Sequence, residues 1–156
     1  MKAAVLYEYQ SPLKIEEVDL NEPSTGEVMV KIIASGVCHS DWHVVKGDLP
    51  TIQIPSILGH EGSGIVEAVG PGVTTLKLGD HVVLTWKPGC GKCAYCQQGW
   101  PAVCKLFPTV SSRPSIRSTG TKVNQMVGLG SFGSSTVVPE LAAVAIDNDI
   151  PFPQAA

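Results

Sequence analysis

The chain has 156 residues, a formal net charge of −3, and 16 glycines and 12 prolines against a low charged fraction. That length suits one domain, expected over residues 1–156, with enough Val, Ile and Leu for a sizeable core. The Gly and Pro counts argue against a helical bundle. The acidic balance excludes a general basic field for nucleic acid, and no apolar run approaches a membrane span.

The N-terminal run MKAAVLYEYQSPLKIEE turns charged before a signal-peptide core can build up. Five cysteines, an odd number, without an export signal point to a reducing compartment. There, clustered cysteines more often mean metal than disulfide. A cytoplasmic location is expected.

In chain order, residues 2–8 (KAAVLYE) read as a first strand. Residues 12–19 alternate imperfectly through Leu13, Ile15 and Val18, as a strand on a sheet edge would. NEPSTGE is a turn, and residues 28–34 form a strong strand run that ends at Ser35 and Gly36. HSDWHVVKG predicts a short helix with Ser40 or Asp41 near its start. Residues 64–69 and 78–84 add strands, each bounded by glycine turns. Short strands punctuated this often suggest a barrel or sandwich. Residues 105–135 are polar and show no clear core strand. Residues 136–138 and 141–146 resume the strand pattern, and a helix starts near Pro151.

Between them lies C-x2-C-x2-C-x7-C: Cys90, Cys93, Cys96 and Cys104, in a lobe over 89–105. Three closely spaced thiols pair poorly with one another, but their turns can aim the sulfurs at one point. Four thiolates close a tetrahedral zinc site with Zn–S of about 2.3 Å and no open position, so such a site is structural. A disulfide with free thiols and an iron–sulfur cluster are the competing readings, and spacing alone puts zinc only modestly ahead. A nucleic-acid zinc ribbon is weaker, because Lys92 and Lys105 are nearly the only basic residues nearby.

The stretch from Gly36 to Gly64 carries Cys38, His39, Ser40, Asp41 and His43, then His60 and Glu61. A lone cysteine is most often a small buried apolar residue, and a lone histidine most often a packed or solvated one. Here Cys38 and His60 come from different turns and can reach one ion. Asp41 suits the second ring nitrogen of a ligating histidine. His81 has no ligand neighbours, and a packing role is expected for it.

Four motifs, GVCHSD, GHEGSGIVEAVGPGV, GDHVV and CGKCAYCQQGWPAVC, in this order and spacing, resemble the N-terminal catalytic domain of the zinc-dependent alcohol dehydrogenases. These belong to the medium-chain dehydrogenase/reductase superfamily. The resemblance covers the whole chain and is weakest over 105–130. It implies a GroES-like fold, mainly β with short helices: a twisted, partly open β-barrel with a four-cysteine lobe. It also implies structural zinc at Cys90, Cys93, Cys96 and Cys104, and catalytic zinc at Cys38 and His60. Glu61 matches a glutamate that lies near that metal, and Asp41 matches the partner of the ligand histidine. Ser40 and His43 match a proton relay, and His39 a basic residue against the cofactor pyrophosphate. Trp86 matches an aromatic of the substrate pocket, where Leu49 is placed as well.

The reaction so implied is oxidation of an alcohol to an aldehyde or ketone, with zinc as Lewis acid and hydride passing to NAD or NADP. In such relatives a third ligand, a cysteine, lies just past the point where this chain ends, and a Rossmann domain comes after it. Both are expected to be absent, so the chain alone is expected to be inactive with a weak second metal site. The alternative is a stand-alone, non-catalytic zinc-binding module. The identity of the alcohol, the choice of cofactor and the oligomeric state (a dimer in many relatives) stay open. Gly128-Leu-Gly130-Ser-Phe-Gly133 fits G-x-G-x-x-G, but the β-branched residues and Pro139 after it do not open a helix. It is expected to be a turn before a strand.

Overall fold

The computed structural model describes residues 1–106, 109–110 and 113–156. Strands form where β-branched and aliphatic residues run between glycines and prolines. In chain order these are β1 (Lys2–Leu6), β2 (Lys14–Asp19) and β3 (Glu27–Ser35). Helix α1 (His39–Lys46) is next, then β4 (Ser56–Ile57), β5 (Gly62–Val69) and β6 (His81–Leu84). A one-turn helix α2 (Ala94–Gln97) lies in the cysteine lobe. Beyond it come β7 (Ser115–Ile116), β8 (Asn124–Gln125), β9 (Ser135–Pro139), β10 (Ala143–Ala145) and the short helix α3 (Phe152–Ala155).

The strands make two five-stranded sheets, ordered β7-β2-β1-β4-β8 and β10-β6-β5-β3-β9. Backbone bonds from residues 132–134 stitch the sheets together. The Ala4 N–H donates to the Phe132 carbonyl at 3.0 Å, the Ser134 N–H to Lys2 at 2.8 Å, and the Ile32 N–H to Ser134 at 3.1 Å. The sheets therefore curl into a partly open half-barrel, mainly β with short helices, as the sequence led us to expect.

Alternation places Val28, Val30, Val66, Val82, Leu84 and Val138 in the core between strands of the second sheet. Ala3, Val5, Val18, Ile57, Ile116 and Val123 fill the first. A third cluster, Leu6, Val44, Leu58 and Met126, fastens α1 to the barrel. Val44 is α1's apolar anchor there, and withdrawing a side chain of this kind from water stabilises by about 1.5–3 kcal/mol.

Three expectations are corrected. The segment 105–135 does supply core and strands: it contains β7 and β8, and Ile116, Val123, Met126 and Leu129 are all buried. Two-residue strands carry no readable period, and they are held by partners distant in sequence, β2 and β4. Phe107, Pro108, Ser111 and Ser112 of that segment lie outside the described residues. Second, β2 is not an edge, since it runs between β1 and β7. Third, the strand expected over 141–146 starts late. Residues Glu140–Ala142 form a 3-10 turn, pinned where the Glu140 carboxylate accepts the Thr74 and Thr75 amides at 2.7 and 2.6 Å. Gly128–Gly133 is a turn before β9, as expected, with no helix after it. Among the described residues no helix is long and apolar enough to cross a membrane.

Candidate metal centres

Strands β3 and β5 run antiparallel with Ser35 opposite Gly62, so the turn leaving β3 and the turn entering β5 meet at one end of the sheet. The Gly36 N–H donates to the Glu61 carbonyl at 2.9 Å, and the Ser35 hydroxyl donates to the same carbonyl at 2.8 Å. A Cβ on Gly36 would meet the Glu61 carboxylate, so a side chain there would push that carboxylate from its present position. Register therefore brings together Cys38, His60 and Glu61, each offering one donor atom, with all three atoms within 4.8 Å of one another.

Asp41 ties the two turns together. It lies in the first turn of α1 and is only 3% exposed. One carboxylate oxygen, Oδ2, accepts the Cys38 N–H at 3.0 Å, a helix-capping contact. The other, Oδ1, accepts the Gly59 N–H at 3.0 Å and lies 3.3 Å from His60 Nδ1. A carboxylate only accepts, so His60 carries its proton on Nδ1 and leaves Nε2 bare, the tautomer a metal ligand needs. Gly59 sets the approach of His60 with φ +86, and a Cβ there would stand 2.5 Å from both Ser131 Oγ and the Phe132 ring.

The other predicted residues spread outward along α1. Ser40 Oγ lies 3.7 Å from Cys38 Sγ. His39 Nδ1 is 3.1 Å from His43 Nε2 in an edge-to-face pair. His43 Nδ1 is in turn 3.0 Å from Asp48 Oδ2. Among the described residues no direct hydrogen bond joins Ser40 to His43. The Trp86 ring centroid is 6.4 Å from that of His60, and both line a cavity of about 340 Å³ shared with Glu61, Thr85 and Ala156. Leu49, half-exposed beyond α1, does not line this cavity. His81 packs on Phe152 with ring centroids 4.5 Å apart and belongs to neither ligand set, in line with a packing role. The sequence reading missed Asp48 and the Ser131–Phe132 backing of Gly59. The spacing His43–Asp48 just past a helix end was the available signal for the first; nothing local pointed to the second.

The lobe gathers the other four sulfurs. Cys93 Sγ lies 3.5 Å from Cys96 Sγ and 3.8 Å from Cys104 Sγ, and Cys90 Sγ lies 3.9 Å from Cys96 Sγ. Four sulfurs at about 2.3 Å from one ion would stand about 3.8 Å apart, so the cage has the dimensions of a tetrahedral S4 site. Backbone amides point at the sulfurs: Lys92 and Cys93 donate to Cys90 Sγ at 3.4 and 3.3 Å, and Leu106 donates to Cys104 Sγ at 3.4 Å. The Lys92 and Cys93 amides hold the Cys90 thiol down at about 6. Desolvation, and then the Cys93 thiol, push Cys96 up to about 12. Crowded thiols that cannot all ionise together are what a divalent cation resolves, and the donor set suits zinc.

The model of the alcohol dehydrogenase GroES-like domain matches residues 24–148. The chain belongs to this family. S-(hydroxymethyl)glutathione dehydrogenase of Paracoccus denitrificans is 42% identical over 160 residues, covering 97% of this chain and 42% of that protein. Alcohol dehydrogenase B of Mycobacterium tuberculosis is 40% identical over 158 residues, with 97% and 42% covered. Among solved structures, an alcohol dehydrogenase zinc-binding domain protein from Burkholderia ambifaria superposes with a TM-score of 0.87 at 34% identity, covering 97% of this chain and 43% of that one. Benzyl alcohol dehydrogenase from Acinetobacter calcoaceticus gives 0.82 at 37% identity, with 97% and 42% covered. The fold is thus GroES-like, and the chain spans about two fifths of the length of these relatives.

Proposed function

We propose that the chain is the zinc- and substrate-binding part of an NAD- or NADP-dependent zinc alcohol dehydrogenase, acting on a small alcohol or its aldehyde. The observation that carries this reading is the convergence of Cys38, His60 and Glu61, with buried Asp41 holding the Cys38 amide and the His60 ring, beside a cavity that His60 and Glu61 line together with Trp86. In this reading Cys38, His60 and Glu61 would hold the catalytic zinc, and Cys90, Cys93, Cys96 and Cys104 the structural one. When bound, zinc supplies Lewis-acid polarisation of the substrate oxygen and the dinucleotide accepts hydride.

The chain's own residues have distinct tasks. Asp41 fixes the His60 ring through Nδ1. Ser40, beside Cys38, takes the alcohol proton on its hydroxyl, and His43, half-exposed one turn along α1, delivers it to water. Among the described residues no bond joins Ser40 to His43, so in this reading a bound dinucleotide would have to supply the hydroxyls between them. His39, at the first position of α1, faces the anionic part of the dinucleotide. Trp86 walls the substrate cavity. A cytoplasmic setting belongs to the same reading, from an odd number of cysteines clustered as metal ligands would be.

The test is alcohol-dependent reduction of NAD or NADP by the protein that carries this chain. The reading expects turnover that is lost with chelator and in Cys38→Ser and His60→Ala. Turnover that survives both substitutions, or none with any alcohol and either cofactor in zinc-loaded protein, would contradict it.

A further inference from the structure

The far end of α1 holds a charged cluster outside the ligand set. His43 Nδ1 lies 3.0 Å from Asp48 Oδ2, and Lys46 Nζ lies 2.8 Å from the same oxygen. The Asp48 N–H also donates to the His43 carbonyl at 2.9 Å, so the turn past the helix holds the carboxylate beside the ring. Lys46 first, and then His43, keep the Asp48 carboxyl below the usual carboxylate range. The carboxylate is then an acceptor only. The contact therefore requires the hydrogen on His43 Nδ1, and the neutral ring must accept at Nε2. His39 Nδ1, 3.1 Å from that Nε2, is then the donor in the His39–His43 contact.

We propose that Asp48 is a positioning residue: it holds His43 as the Nδ1–H tautomer and so presents a bare Nε2 toward His39 and the Cys38 end of α1. Free imidazole side chains favour the opposite tautomer, with the hydrogen on Nε2, which cannot accept a proton there. The role rests on the reading of His43 as the outer proton carrier. With Asp48 in place, a proton arriving from the substrate side can add to the unprotonated Nε2 once the His39 Nδ1–H contact gives way to it. The imidazolium so formed keeps its Nδ1–H on the Asp48 carboxylate. The half-exposed ring then releases the Nε2 proton to water, which restores the Nδ1–H form held by Asp48. Lys46, sharing the carboxylate, keeps Asp48 from taking the proton itself.

Nitrogen-15 imidazole spectra of the 156-residue chain test this directly, at about pH 8.5, two units above the reference value for histidine. The wild type is expected to show His43 with Nδ1 protonated and Nε2 bare. Asp48→Ala should move most of the population to the Nε2–H form. His39→Ala should leave the Nδ1–H form in place, because the carboxylate remains. An Nε2–H ring in the wild type, or no change in Asp48→Ala, would overturn the inference. So would a loss of the Nδ1–H form in His39→Ala, since His39 would then be the fixing group. This readout needs no turnover. Absence of dehydrogenase activity would defeat the functional reading and leave the tautomer result standing, and a wrong tautomer would defeat the inference alone.

Discussion

Asp41 and His60 are joined across two separate turns, with Oδ1 3.3 Å from Nδ1, while the other oxygen of the same carboxylate accepts the Cys38 amide at 3.0 Å. One buried side chain thus sets the helix start that carries one donor and the ring orientation of the next. Asp41→Ala would leave the Cys38 and Gly59 amides without their acceptor in the interior. We expect a loss of about 3 kcal/mol in urea unfolding, and metal affinity at the Cys38 site lower by about 10–100-fold. Asp41→Asn should recover only part, because its amide N–H2 can accept from neither backbone N–H. Stability within about 0.5 kcal/mol of wild type, the spread of neutral surface changes, would contradict this.

Gly59 is the hinge of the same arrangement. With φ +86 and a Cβ position 2.5 Å from Ser131 Oγ, alanine is strained twice over, by backbone and by contact. Gly59→Ala is expected to destabilise by about 2–4 kcal/mol, read as a lower denaturant midpoint with an unchanged slope. Gly79 has positive φ with open space around it, so Gly79→Ala should cost only the backbone term, about 1–2 kcal/mol.

The cysteine lobe has almost no apolar interior. Over residues 89–106 the one buried side chain is Cys104, while Tyr95, Trp100, Val103 and Leu106 are exposed. If the four cysteines hold zinc, the order of the lobe is expected to come from the metal. Removing zinc should raise amide exchange at Lys92, Cys93 and Leu106 by at least about tenfold and leave the β3–β5 ladder protected, since local opening is independent of the barrel core. Equal loss of protection in both regions would show that the lobe and barrel unfold as one.

Glu140 supplies a pH-dependent contribution. The Thr75 amide, with the Thr75 hydroxyl and Thr74 amide, holds its carboxyl below the ordinary 4.5. The folded value is depressed, so its stabilisation is fully present above 4.5 and is lost as pH falls through the folded value. Glu140→Gln should therefore cost about 1 kcal/mol at pH 7, with the gap to wild type closing in acid. A gap that widens below pH 4.5 would contradict the assignment.

Much of this was readable in the chain. The β-branched run at 28–34 became β3, 64–69 became most of β5, and HSDWHVVK became α1, because in each case local pattern and burial agree. The donor residues were legible by type and by resemblance. Their meeting was not: it depends on Ser35 facing Gly62, and on Gly36 leaving room for Glu61. β4, β7 and β8 are two residues each, too short for any period, and are held by distant partners. The same holds for Ser131 and Phe132, which back Gly59 from a stretch that read as a bare turn. Asp48 was passed over because one acid beyond a helix end looks solvated until its distance to His43 is known.

On the proposed reading one chain builds two metal centres of different chemistry, a closed S4 cage and a Cys38–His60–Glu61 site beside a cavity. Titration of the zinc-free chain with cobalt(II), a coloured stand-in for zinc, tests it most directly. A tight first phase with an all-thiolate spectrum is expected, then a weaker second phase with a different one. Cys38→Ser and His60→Ala should each remove only the second, and Cys93→Ser only the first. A single phase unaffected by Cys38→Ser and His60→Ala would contradict it.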